Sequence, residues 1–144
     1  SLARGGTVEE AVAFGDVLFI AVPYGALPQI GKDYSAAMKG KVMLDACNAV
    51  SARDGAIADE VEQNGVGVTS QKYFPGVRIV RAFNTMSYMI FAREANRPDP
   101  KLAIPIAGDD PQAVVGRMAD AVAARLRGTV RARRSLRCRA ELSP

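Results

Sequence analysis

Asp16-Val-Leu-Phe-Ile-Ala-Val22 is almost continuously apolar and runs straight into Pro23-Tyr24-Gly25. A short unbroken apolar run closed by turn residues is the pattern of a strand buried on both faces of a parallel sheet. Residues 41–45 (Lys-Val-Met-Leu-Asp), 77–83 (Val-Arg-Ile-Val-Arg-Ala-Phe) and 101–107 (Lys-Leu-Ala-Ile-Pro-Ile-Ala) read as three more strands. Pro105 marks the last as an edge or a bulge, because proline cannot donate to a ladder. Helical stretches lie between and after them. Thr7 caps a helix over 8–14, with Glu9 and Glu10 in the first turn, where the helix dipole favours acids. Asp54 caps a helix through Asn64, which Gly65 stops. Residues 87–96 form another helix, closed by Arg97-Pro-Asp-Pro100. Asp110-Pro111 is an N-cap and first-position pair opening a helix that buries Val114, Val115, Met118, Ala121 and Val122. Strands alternating with helices make the chain α/β with a parallel sheet.

The composition narrows the chemistry. The chain has 144 residues, 49% hydrophobic and 24% charged, with two cysteines and no histidine. Without histidine there is no Ser-His-Asp or Cys-His catalysis and no imidazole metal ligand. Cys47 and Cys138 lie far apart and form no CxxC, which disfavours a disulfide scaffold and makes the cytoplasm the expected compartment. No run reaches the roughly 18–20 apolar residues of a membrane span. The start, Ser-Leu-Ala-Arg-Gly-Gly, lacks a signal peptide's architecture and an initiating Met, so the chain is expected to be trimmed or incomplete there.

The formal charge of +4 divides unevenly. Residues 125–144 hold seven arginines against one glutamate, whereas residues 1–124 hold twelve basic groups against fourteen acidic ones. The expected organisation is therefore a partial dinucleotide-binding domain over 1–124 and an arginine-rich tail over 125–144, outside the core. The basic pI belongs to the tail, which disfavours nucleic acid as the partner of the domain.

In an open parallel sheet, ligands bind beyond the carboxyl ends of the strands. The segments there are Ala21-Val-Pro-Tyr-Gly25, Asp45-Ala-Cys-Asn-Ala-Val50, Phe83-Asn-Thr-Met86 and Ala107-Gly-Asp-Asp110. Small residues and proline let a flat ring approach the backbone. Asn48, Asn84 and Thr85 offer amide and hydroxyl groups to a carboxamide or ribose. The competing reading is that asparagines at strand ends only satisfy turns. Other features read more simply. Cys47 is a small apolar filler, and Asp109-Asp110 and Asp59-Glu60 are caps and solvated faces. Lys72, Tyr73 and Phe74 are local packing, and Arg78 and Arg81 mark a solvated or interface face. Gly65-Val-Gly-Val-Thr-Ser70 lacks a third glycine and follows a helix, so it is not read as a phosphate loop.

The same tips carry a resemblance. Ala-Val-Pro-Tyr at 21–24, Leu-Asp-Ala-Cys-Asn-Ala at 44–49, Arg-Ala-Phe-Asn-Thr at 81–85 and Ile-Ala-Gly-Asp-Asp at 106–110 together resemble the NADP oxidoreductase family dependent on the deazaflavin coenzyme F-420. The resemblance covers roughly residues 7–120. It implies a Rossmann-like NAD(P)-binding fold, NADP as cofactor, coenzyme F-420 or a related molecule as acceptor, and hydride transfer between them. It implies that Ala21, Val22 and Pro23 lie against the cofactor, Asn48 and Ala49 near the nicotinamide ribose and Asn84 near the carboxamide, with Tyr24 and Thr85 as further cofactor-binding residues. It assigns no catalytic residue and no metal ligand. Hydride transfer needs two rings held in contact rather than a protein acid or base, so missing histidine is no obstacle.

This sequence departs from the family pattern in lacking its first β-α-β segment with the glycine-rich phosphate turn, which leaves the enzyme assignment open. The strand at 16–22 is then expected to expose an unpaired edge that could pair with a second copy of the chain. The alternative function is a non-catalytic, truncated α/β interaction module acting through that edge or the basic tail.

Overall fold

The computed structural model describes residues 4–94, 98 and 104–113. In chain order its elements are α1 (Val8–Phe14), β1 (Val17–Ile20), a 3-10 turn (Tyr24–Ala26), α2 (Leu27–Met38), β2 (Val42–Asp45), α3 (Ser51–Asp54), α4 (Ala56–Asn64), α5 (Val66–Tyr73), β3 (Arg78–Arg81) and α6 (Tyr88–Glu94). The strands form one parallel sheet in the order β1-β2-β3. Val17 pairs with Val42 and Val42 with Arg78, and this register carries through to Ile20, Asp45 and Arg81. Three parallel strands joined by helical crossovers make a Rossmann-like α/β fold.

Strand alternation divides the core. Ile20, Met43 and Ile79 join Tyr24, Leu27, Met38 and Phe74 on the face covered by α1, α2 and α5. Val42, Leu44, Val80 and Ala82 face the other way and meet Ile106 and Ala113. β2 is buried at all four positions, as a central parallel strand should be. β1 is not buried on both faces, contrary to the sequence expectation: Phe19 is 58% exposed. Among the described residues β1 has β2 as its only strand neighbour, so it is an edge strand.

Local chemistry sets the helix ends. At α1, Thr7 Oγ1 accepts from Glu10 N–H (3.2 Å) while Glu10 Oε2 accepts from Thr7 N–H (2.9 Å), a reciprocal capping box. At its other end Lys41 Nζ donates to the carbonyls of Val12 (2.8 Å) and Gly15 (2.7 Å), placing a cation on the negative end of the dipole. The helix expected after Asp54 is present as α4 and runs through Asn64, but Asp54 does not cap it: Asp54 closes a separate helical turn, α3, and Gly55 stands between the two. Gly55 adopts φ +55, outside the helical region, and separates them there. Asp54 therefore caps backwards, its carboxylate accepting from Val50 N–H at 2.7 Å.

Two helices, α2 and α5, fall where the sequence reading placed none. They pack closely because residue 31 is glycine: a Cβ there would collide with the Tyr73 carbonyl. In the strand expected over 101–107, the described part (104–107) is not a strand. Ala107 makes only an isolated antiparallel bridge to Arg81, beside Pro105, which cannot donate. Asp110 caps as expected, its Oδ1 accepting from Gln112 N–H (2.8 Å) and Ala113 N–H (3.1 Å). The apolar face expected over 114–122 and the tail over 125–144 lie outside the described residues.

Candidate functional site

Because the strands are parallel and in register, their carboxyl ends open onto one side of the sheet. The following segments are tied together as they leave. Ala46 N–H donates to the Ile20 carbonyl (3.0 Å) and Ala82 N–H to that of Asp45 (3.2 Å). Val22 N–H points at Cys47 Sγ at 3.4 Å. Asp54 bridges the first two segments, accepting from Gly25 N–H (3.0 Å) as well as from Val50. Its neighbour Arg53 donates from Nη2 to the Asn48 carbonyl at 2.7 Å. The Arg53 guanidinium, reinforced by the two backbone N–H groups, holds the Asp54 carboxyl far below the usual carboxylate range.

Beneath this shelf runs a buried polar chain that the sequence reading missed. Tyr24 Oη meets Ser70 Oγ at 3.0 Å, and Ser70 Oγ donates to Asp45 Oδ2 at 2.9 Å. Asp45 Oδ1 accepts from Cys47 N–H at 2.8 Å. Arg81 Nη1 then donates to Asp45 Oδ2 at 2.6 Å in an ion pair whose side chains are 6% and 0% exposed. Arg81 Nη2 continues outward to Asn48 Oδ1 at 3.2 Å. The donors of the guanidinium require an acceptor opposite them, which assigns the Asn84 amide with its oxygen on that side; so assigned, it accepts from Arg81 Nε at 3.1 Å and also from Nη2. Finally, Asn48 Nδ2 donates to the Asn84 carbonyl at 2.7 Å. Arg81 thus lies in the interior, not on the solvated or interface face expected of it. A buried carboxylate at the adjacent register position supplies the counter-charge that lets it stay there. Arg78, two residues earlier, is half-buried and pairs with Asp110 at 2.6 Å.

The structure brings Asn48 and Asn84 into contact and sets Ala21, Val22, Pro23, Ala49 and Thr85 on the segments around them. Ala21, Pro23, Asn48 and Thr85 are exposed, while Val22, Ala49 and Asn84 are half-buried. Tyr24 differs: its side chain is wholly buried and its hydroxyl is turned to Ser70 and the Val66 carbonyl. It belongs to the polar chain below the shelf rather than to a surface a ring could touch. Phe83, just before Asn84, has φ +66, a left-handed conformation uncommon for a bulky residue. Its ring sits edge-on to both Phe19 (5.9 Å) and Phe91 (5.6 Å).

The simpler readings hold for the neighbouring features. Cys47 is 2% exposed, and burial pushes its thiol up to about 11, so it is a core filler and not a nucleophile at neutral pH. Residues 66–70 form the first part of helix α5, with Gly65 before it at φ +82. Glu60 takes Lys72 Nζ (2.7 Å) and the Tyr73 hydroxyl (2.9 Å), and Phe74 is buried, all local packing. Beside the shelf lies an open cleft of about 400 Å³, lined by Gly67, Val68, Lys72, Ile79, Arg81 and Gly108 among others. None of the eight expected cofactor-contact residues lines it. Among the described residues, no cluster of carboxylates or thiols could hold a metal ion. No helix among them is long and apolar enough to cross a membrane.

Fold and site together define the class: a Rossmann-like α/β protein whose polar groups gather at the strand tips. Several solved structures share the fold, two of them as follows. A hypothetical protein from Sinorhizobium meliloti superimposes with a TM-score of 0.62 at 22% identity, over 86% of this chain and 58% of that one. A candidate F420-dependent NADP reductase from Arthrobacter sp. FB24 superimposes with a TM-score of 0.60 at 19% identity, over 84% of this chain and 56% of that one. The chain therefore spans well under two thirds of either protein. At such identities the likeness establishes the fold alone. No family model matches the chain, and no curated protein matches it in sequence.

Proposed function

We propose that this chain is the nucleotide-binding core of an NADP(H)-dependent oxidoreductase that passes hydride between NADP and a deazaflavin such as coenzyme F-420, or a related acceptor. The observation that carries the reading is the shelf itself. Three parallel strand tips open on one side, with the side-chain amide of Asn48 donating across them to the backbone carbonyl of Asn84. The shared fold with a candidate F420-dependent NADP reductase supports it.

The residues present fit a nicotinamide. With its oxygen turned to Arg81, the Asn84 amide has Nδ2 left to donate to a carboxamide oxygen. Ala21, Pro23 and Ala49 place little bulk above the tips, so a flat ring can lie close to the backbone. The bound cofactors would supply the redox chemistry, and the protein's task is to orient the rings and exclude water. Cofactor titration followed by nicotinamide fluorescence tests this reading. Saturable NADPH binding that persists from low to moderate salt is expected. A folded chain that shows no saturation overturns the reading.

A further inference from the structure

We propose that Arg81 is the positioning residue of the strand-tip shelf, a buried guanidinium that fixes the amides of Asn48 and Asn84 so that Asn84 presents Nδ2 outward to a ligand carbonyl. Naming that carbonyl as a nicotinamide carboxamide rests on the function proposed above; the positioning itself does not.

A guanidinium is a rigid planar fork, so fixing one edge fixes the directions of its other donors. Here the fixed edge is Asp45, joined to Arg81 Nη1 at 2.6 Å. Asp45 is itself held from two more sides, by Cys47 N–H at 2.8 Å and by Ser70 Oγ at 2.9 Å. Tyr24 Oη in turn meets Ser70 at 3.0 Å. Orientation therefore originates in the core and reaches the tips through one side chain. Nη2 sets Asn48 by its Oδ1, and Nε sets Asn84 by its amide oxygen. An asparagine whose oxygen faces a cation cannot also face it with its NH2, so Nδ2 is turned away from Arg81. Asn48 Nδ2 closes the arrangement on the Asn84 carbonyl. The left-handed turn at Phe83 brings the chain round to this point, and its ring is clasped by Phe19 and Phe91. Lysine could keep the charge opposite Asp45 but, as a point donor, could not hold both amides.

Arg81→Lys, Asn84→Ala and the double variant test the assignment. In ligand-free wild type, NMR should show the Arg81 Nε–H and an Asn48 Nδ2 proton protected from solvent exchange. In R81K the Asn48 amide should lose that protection and exchange freely while the fold persists. NADPH affinity should fall about tenfold in R81K and in N84A, with the double variant no weaker than N84A alone. Unchanged asparagine signals in R81K, or affinity losses that simply add, would overturn the assignment. Should R81K not fold, N84A decides: protection of Arg81 Nε–H must be lost there, and its persistence is the contrary result. Should wild type not bind NADPH, the proposed function fails, and the amide signals still decide the role of Arg81.

Discussion

Arg81 and Asp45 show how much of the interior a single side chain can govern. Arg81→Leu leaves a buried carboxylate without its cation, and loss of one partner of such a pair costs about 3–5 kcal/mol. Urea unfolding should show a loss of that order, much of it recovered in Asp45→Leu/Arg81→Leu. At the shelf, Asp54 is stabilising only while ionised. Its folded value lies below the ordinary 3.8, so its contribution is complete above about pH 4 and disappears as pH falls further. Thermal midpoints should drop on acidification below that point, and D54N should drop less steeply. Cys47 should resist alkylation at pH 8 in the native protein and react once unfolded, as peptide mapping would reveal; native labelling would contradict its burial. The asparagines at the tips were legible in the sequence because each stands three residues beyond the end of its strand. Arg81 was not. An arginine alternating along a strand looks solvated until Asp45, 36 positions earlier, is seen at the neighbouring register position.

The elements were legible in proportion to their local signals. The first two strands emerged from short apolar runs, the third from a β-branched run interrupted by Arg78 and Arg81, and α1 from its cap. α2 did not, because Pro28 and Gly31 obscure its apolar period, although proline is at home in a first turn. α5 did not, because Gly65 reads as the stop of the preceding helix and Gly67 interrupts the pattern that follows. The residue that disguised α2 is the one that seats it: with no Cβ, Gly31 lets the Tyr73 carbonyl approach. Gly31→Ala should therefore push α2 and α5 apart and cost about 1–3 kcal/mol, although alanine is the better helix former. A neutral or stabilising effect in thermal melts would mean that the two helices pack less closely than described. The split at Gly55 shows a further limit. A cap residue such as Asp54 can serve the turn before it as readily as the helix after it, and only the backbone angle distinguishes the two.

At the scale of the whole molecule, β1 leaves one edge unpaired among the described residues, and Phe19 and Phe14 beside it are 58% and 84% exposed. Such an edge invites pairing with another strand. Sedimentation should show self-association that Phe19→Lys reduces; a strictly monomeric wild type would contradict pairing between copies. The sequence exposed this edge through its apolar run, but it could not show that Phe19 lies uncovered, since that depends on what packs across the sheet. The central claim concerns the other end of the strands, where Asn48 and Asn84 meet. Backbone and side-chain amide NMR during NADPH titration tests it most directly. Saturable shifts should concentrate at Ala21, Asn48, Ala49, Asn84 and Thr85. Shifts confined to the cleft around Gly67, Lys72 and Gly108, or none at all, would contradict a nicotinamide site at the strand tips.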